Sequence, residues 1–346
     1  MGKNKIKHLL VIRLSAMGDV AMTVPVLSSL TSQHPNLKIT VLTRANYIPM
    51  FTDLPNVHVY SADVNGKHKG IFGLWQLFKE LKSLRIDAVA DLHNVLRSSV
   101  LKRFFIINNV PFIQMDKGRT EKKALTATKN KVFKPLKTTF QRYADVFDQL
   151  GFPVQLQKVT VLSKRVMPEK VQQAIGPDNL KWIGIAPFAA YTGKMYPLDL
   201  MEKVIFSLNN TNKYKIMLFG GGNLQKKQAE QWSDLYQNCI NTIDILSFED
   251  QLALISNLDL MLSMDSGNGH LAAMFNIPTI TLWGVTHPYA GFSPFNQASD
   301  NSLLSDRDKF PFIPTSIYGN KAPKGYENVM STILPETVIS RINSLL

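Results

Sequence analysis

Three short turns in this chain collect the residue types best suited to chemistry. In MDSGNGHLAAMF (264–275), Asp265, Ser266, Gly267, Asn268 and Gly269 form a small polar turn, and His270 follows as a helical pattern begins. A turn of this kind at a helix N-terminus presents unpaired backbone N–H groups at the positive end of the helix dipole, which suits a phosphate or diphosphate. Ser266 adds a hydroxyl, and His270 can point back to the same anion. The plainer reading is an ordinary strand-to-helix turn, with Asp265 or Ser266 as N-cap and His270 packed on a neighbour. Spacing alone leaves both open. In APFAAYTGKMYP (186–197), Thr192, Gly193 and Lys194 precede Pro197, which fits the first position of a helix. Lys194 is then either a point charge for phosphate or simply solvated. The third turn is RLSAMGD (13–19), where Ser15, Met17 and Gly18 lead to Asp19. A carboxylate there either caps the following helix or acts as a general base facing a ligand.

Several other chemistries lack their signatures. No G-x-G-x-x-G follows the first apolar run, and no G-x-x-x-x-G-K-[ST] occurs, so neither a simple dinucleotide dehydrogenase nor a P-loop kinase is supported. No H-E-x-x-H or C-x-x-C suggests a metal site, and none is expected.

The elements that must position these turns alternate along the chain. Strands are predicted at 7–13, 38–43 and 87–92, with helices at 20–33, 71–84, around 94–107 and at 138–151. After a proline-broken linker at about 152–180 the pattern resumes, with strands at 181–188, 215–221, 241–246, 258–265 and 278–284. Helices are expected at 197–209, 223–237, 249–257 and 267–276. This is βαβ grammar and implies an α/β fold of two doubly wound parallel sheets, with a ligand cleft between the two domains. All three turns then lie at carboxyl ends of strands. The expected organisation is a first domain at 1–165, a second at 166–330, and a last helix at 331–346 packing back on the first.

With 346 residues, 45% of them apolar, the chain can bury two cores, and its single cysteine, Cys239, excludes an intrachain disulfide framework. No apolar run is long enough to span a bilayer and no secretory leader is evident, which makes a cytoplasmic location the expectation. The net charge of +13 favours anionic partners. Twelve Lys and Arg fall between Arg97 and Arg142, opposed only by Asp116 and Glu121. Such a run reads either as a solvated loop or as an electropositive flank beside a polyanion site. Nucleic acid is not the expected partner of this run.

Taken together and in order, RLSAMGDVAMTVPVL, FAAYTGKMYP, FGGGN and DSGNGHLAAMFNIPTITLWGVTHP resemble glycosyltransferase family 9, the lipopolysaccharide heptosyltransferases of GT-B fold. The resemblance spans nearly the whole chain. It implies an inverting transfer, with neither cofactor nor metal, of a sugar from a nucleotide diphosphate donor to an acidic glycolipid. Heptose from ADP-heptose is the leading donor. Asp19 matches the family's proposed base, with Ser15, Met17 and Gly18 on the acceptor-side loop. Thr192, Lys194, Asp265, Ser266, Gly267 and His270 match the donor diphosphate site. The basic run suits such an acidic acceptor, and the positive charge suits peripheral contact with the anionic inner membrane surface. Two positions depart from the pattern: GGGNLQKKQAE carries Gln225, Lys226 and Lys227 where an acid commonly touches the donor ribose, and Tyr196 stands where tryptophan is frequent. Alternatives are another nucleotide sugar, a GT-B sugar-nucleotide epimerase, or a nucleotide- or glycan-binding protein on a degenerate scaffold.

Overall fold

The computed structural model describes residues 6–158, 162–177 and 179–346. The chain forms two compact units. Unit 1 comprises Met1–Lys117 and Thr139–Leu162, and unit 2 comprises Gly118–Thr138 and Ser163–Leu346.

Unit 1 begins with β1 (His8–Ile12), followed by α1 (Met17–Ala21), α2 (Thr23–Gln33), β2 (Lys38–Thr43), β3 (Val57–Ser61), α3 (Gly70–Ser83), β4 (Ala88–Asp91), α4 (Leu96–Ile107) and β5 (Phe112–Gln114). The chain then contributes α5 (Arg119–Leu125) to unit 2 and returns with α6 (Thr139–Gln149). The five strands are parallel, in the order β3-β2-β1-β4-β5. β1 is buried at every position and apolar from Leu9 to Ile12 because helices cover both faces of the sheet. On one face, Leu74, Leu77, Phe78 and Leu81 of α3 and Leu101 and Phe105 of α4 pack on Leu10, Ile12, Leu42 and Val89.

Unit 2 continues with α7 (Glu169–Ile175), β6 (Lys181–Ala186), α8 (Leu198–Asn210), β7 (Tyr214–Leu218), α9 (Asn223–Leu235), β8 (Cys239–Asn241), α10 (Phe248–Ser256), β9 (Leu260–Met264), α11 (Gly267–Met274), β10 (Thr279–Trp283), β11 (Ser302–Leu304) and α12 (Pro335–Leu345). Its six parallel strands run β11-β10-β9-β6-β7-β8.

In each sheet the chain starts at a central strand, builds to one edge and crosses back to the other. The switch point lies between β1 and β4 in unit 1, where Ile12 is level with Asp91, and between β6 and β9 in unit 2, where Ala186 is level with Ser263. Loops leaving the carboxyl ends of such strand pairs splay apart and leave a crevice, the usual ligand position in open α/β sheets.

Several expectations are corrected. The helix expected at 20–33 is two helices, because the chain turns at Met22 between α1 and α2. The strand expected at 241–246 ends at Asn241; Thr242 then turns to donate its hydroxyl to Leu218 O, and Asp244 is left-handed. The linker expected at about 152–180 contains α7, and residues 159–161 and 178 of it lie outside the described residues. Residues 118–138 belong to unit 2 rather than to the first domain. The last helix, expected on the first domain, belongs to unit 2. Val338 and Ile342 of α12 are fully buried in the unit 2 core, and Tyr214 of β7 donates to Asn343. The basic run is divided between the units, and its Lys122 and Arg142 are buried.

Candidate active site

In unit 1 the candidate side chains stand where β1 and β4 end. Arg13, the residue after β1, is buried. It donates from one amino group to Leu92 O at 2.7 Å and pairs through the other with Asp19 Oδ2 at 2.5 Å. Burial opposes the guanidinium charge, but Tyr143 and Asp19 outweigh it and the pKa is raised. Asp19 is not the N-cap of its helix. Ala16 holds that position in extended backbone, and Asp19, at the third helical residue, turns back toward the Ala16 N–H at 3.4 Å. The carboxylate is therefore fixed through one oxygen. Its side chain is 31% exposed, and Oδ1 has no hydrogen-bond partner among the described residues. Tyr143 of α6, whose phenol burial keeps protonated, donates to the Asp19 carbonyl at 3.3 Å and ties the turn to the helix behind it. Ser15, Met17 and Gly18 stay half-buried around this carboxylate.

From β4 comes a residue that the sequence reading passed over. His93 follows the strand, buried, with Nε2 at 3.5 Å from Ser15 Oγ and Nδ1 without a partner among the described residues. Burial, with the charges of Arg13 and Lys117, pushes its pKa down to about 3, so the ring is neutral at physiological pH. Asp91 sets its backbone, accepting from the His93 and Asn94 N–H groups with one oxygen and from Gln114 with the other. The available signal was a polar His-Asn pair directly after a strand, in the register of the Asp19 turn.

In unit 2 the crevice holds the other candidates. Thr192 and Lys194 occupy a short 3-10 turn after β6, and Lys194 Nζ lies 3.2 Å from Asp265 Oδ2 at the end of β9. The turn is anchored by Gly193 O, which accepts from the Val285 N–H at 2.9 Å. Gly319 presses on the stem of Lys194 with φ +82°, and a Cβ there would stand 2.3 Å from Lys194 Cγ. Ser266 is the N-cap of α11, but its side chain makes no cap bond, and its buried hydroxyl has no partner among the described residues. Asp265 is drawn to Lys194 instead of to the helix. The first amides of α11, starting with Gly267, thus have no side-chain cap, the arrangement that suits an anion. Gly269 lets α11 sit against β9, since a Cβ would reach within 2.6 Å of Ser263 Oγ. His270 is buried in the first turn. Lys194, Asp265, Ser266, Gly267 and His270 therefore gather around one helix end, with Thr192 on the facing turn.

The two departures have local explanations. Gln225 closes the glycine turn after β7, its Oε1 accepting from the Gly221 N–H at 2.9 Å. Tyr196 is fully buried and donates to Ile333 O at 2.6 Å, which makes it part of the core of unit 2.

Two doubly wound units of this build superpose over 98% of the chain on the glycosyltransferase family 9 protein of Veillonella parvula, covering 97% of that chain with a TM-score of 0.74 at 20% identity. They also superpose over 98% of the chain on the whole of the Escherichia coli heptosyltransferase WaaC with ADP, with a TM-score of 0.65 at 18% identity. The fold is GT-B, and the protein is a glycosyltransferase. The model of glycosyltransferase family 9 (heptosyltransferase) matches residues 74–312, and the chain belongs to this family. Among curated relatives, lipopolysaccharide heptosyltransferase 1 of Campylobacter coli is 26% identical over 297 residues, which is 81% of this chain and 84% of that protein. No helix among the described residues is long and apolar enough to cross a membrane.

Proposed function

We propose that the protein transfers heptose from ADP-heptose to a lipopolysaccharide-core acceptor, with inversion and without a metal ion, at the cytoplasmic face of the membrane. The observation that carries this reading is the convergence of the Lys194 ammonium, the unpartnered Ser266 hydroxyl and the uncapped α11 amides at one switch point. The ADP named with one structural neighbour and the lipopolysaccharide named for one relative support the donor and acceptor class.

Asp19 Oδ1, the oxygen not engaged by Arg13, takes the acceptor hydroxyl proton as the acceptor oxygen bonds to the sugar's anomeric carbon. The bond from that carbon to the diphosphate breaks, and ADP leaves with the electron pair. Lys194 and the α11 amides stabilise the charge gained by the departing diphosphate, where a metal ion would act in other transferases. Arg13, itself fixed on Leu92 O, orients the base through Oδ2. The neutral ring of His93 contributes hydrogen bonding beside the acceptor without adding a competing positive charge.

A thermal-shift comparison of ADP, GDP, UDP and CMP is the first test. Selective stabilisation by ADP is expected, followed by transfer from ADP-heptose that persists in chelator. Preference for another nucleotide moves the donor. Donor turnover without acceptor replaces transfer by epimerisation, and no stabilisation by any nucleotide overturns the reading.

A further inference from the structure

Unit 1 carries an apolar surface that its own core does not use. α3 faces the sheet through Leu74, Leu77, Phe78 and Leu81. Its opposite stripe reads Phe72, Trp75, Lys79 and Lys82, at helical spacing. Phe72 is 84% exposed and Trp75 49%, and Ile71 beside them is also exposed. α4 runs alongside in the same direction, because Phe78 meets Phe104 and Phe105 and Lys82 Nζ donates to Asn108 Oδ1 at 2.7 Å. It exposes Leu96 at 82% and Ile107 at 77%, with Ile106. Large apolar side chains gathered on two neighbouring helices mark an interaction surface rather than scattered exposure.

Charge identifies what covers it. Lys69, Lys79, Lys82, Arg97 and Arg103 are exposed on and around these helices. The acids of residues 63–108 are all engaged elsewhere. Asp63 accepts from the Gly66 and Lys67 N–H groups, Glu80 is held by Tyr60, Lys67 and His68, Asp87 binds the Lys7 and His8 N–H groups, and Asp91 is buried. Lys79 Nζ stands 3.7 Å over the Trp75 ring, a pairing that can lay the ring at headgroup depth while the ammonium reaches phosphate.

We infer that the α3–α4 face docks unit 1 on an anionic lipid bilayer. The inference rests on the reading of a lipid-linked acceptor and deepens it. α4 begins three residues after His93, so the docking face adjoins the acceptor-side residues within the same unit. The apolar side chains enter the headgroup boundary and the lysines and arginines meet lipid phosphates. The surface is not the basic run at 97–142, only three of whose residues lie on α4.

The full chain is tested by co-sedimentation with phosphatidylethanolamine–phosphatidylglycerol vesicles and with neutral phosphatidylcholine vesicles. Wild type is expected to bind the anionic vesicles and to be released by salt. Phe72→Gln/Trp75→Gln is expected to lower partitioning about tenfold or more. Lys69→Glu/Lys79→Glu is expected to lower it on anionic vesicles by at least about fivefold per charge lost. Absence of wild-type binding overturns the inference, as does equal binding by the first variant. A wild-type dimer that the Phe72/Trp75 variant dissolves, with no vesicle binding, assigns the face to a second copy and also overturns it. ADP-induced stabilisation and transfer to a lipid-free acceptor fragment are expected to be unchanged in both variants. If transfer fails in every form while vesicle binding follows the substitutions, the functional reading falls and the docking face stands.

Discussion

Asp19→Asn separates the chemical role of the carboxylate from its structural one. The side chain is held by a buried guanidinium at 2.5 Å and by a longer contact to the Ala16 N–H. An amide keeps an oxygen for Arg13 but removes the charge. Two unit charges about 4 Å apart at an effective dielectric near 20 interact by about 4 kcal/mol, which sets an upper bound. Arg13 keeps its bond to Leu92 O, and Asp19 is 31% exposed, so the expected loss is smaller, about 1–2 kcal/mol. Against a typical stability of about 5–15 kcal/mol the variant stays folded, with a melting temperature lower by a few degrees. Loss of the base, by contrast, is expected to reduce kcat by about 10²- to 10⁴-fold. The assay is transfer from ADP-heptose to a heptose-deficient core acceptor, read beside ADP-induced thermal stabilisation of the same sample. The expected pattern is a collapsed kcat with donor KM and ADP stabilisation retained. Wild-type kcat in a folded variant would refute Asp19 as the base, whatever happens to stability. Loss of ADP stabilisation with kcat retained at saturating donor would assign Asp19 to donor binding instead.

Other expectations follow from the same geometry. Lys194→Ala should weaken ADP binding by about 10- to 100-fold in calorimetry while the fold persists, since one charge-assisted contact contributes about 1.5–3 kcal/mol; unchanged affinity removes Lys194 from the donor site. Gly319→Ala forces a side chain into left-handed backbone and against the stem of Lys194, and should cost at least about 1 kcal/mol in denaturant unfolding together with donor affinity. For His93, the folded pKa of about 3 lies below the ordinary 6.5, so between these values the unfolded chain binds the extra proton. Stability is therefore complete above pH 6.5 and falls as pH drops toward 3, with His287, at about 4, adding in the same direction. His93→Gln should flatten the melting temperature between pH 6.5 and 4.5, and an unchanged slope there would show that His93 is not responsible for it.

Much of the fold was legible because period and punctuation are local properties. The apolar run 9–12, the turn before Asp19, Pro197 ahead of α8 and the glycines of 267–269 each announce a strand end or helix start through short-range sterics. The motif residues of unit 2 were readable for the same reason: a small-residue turn after a strand presents amides wherever it occurs. The short edge strands β3, β5 and β11 were not readable, since half-buried edges need little apolar content. Nor was the place of α12, whose amphipathic face fits any apolar groove and whose partner only packing selects.

The sequence by itself determined two doubly wound sheets and three strand-end turns rich in chemistry, because hydrophobic periodicity and turn residues act within a few positions. Only the tertiary structure decided how those turns are used. It brought Lys194 to Asp265 across 71 positions of chain and left the head of α11 uncapped. It set Arg13 against Asp19, so that an acid readable as a cap became a carboxylate with one oxygen fixed and one open. It placed His93 beside Ser15 and left Phe72 and Trp75 facing outward. Those outcomes depend on strand order and on which faces the cores consume, and these are properties of the folded chain as a whole.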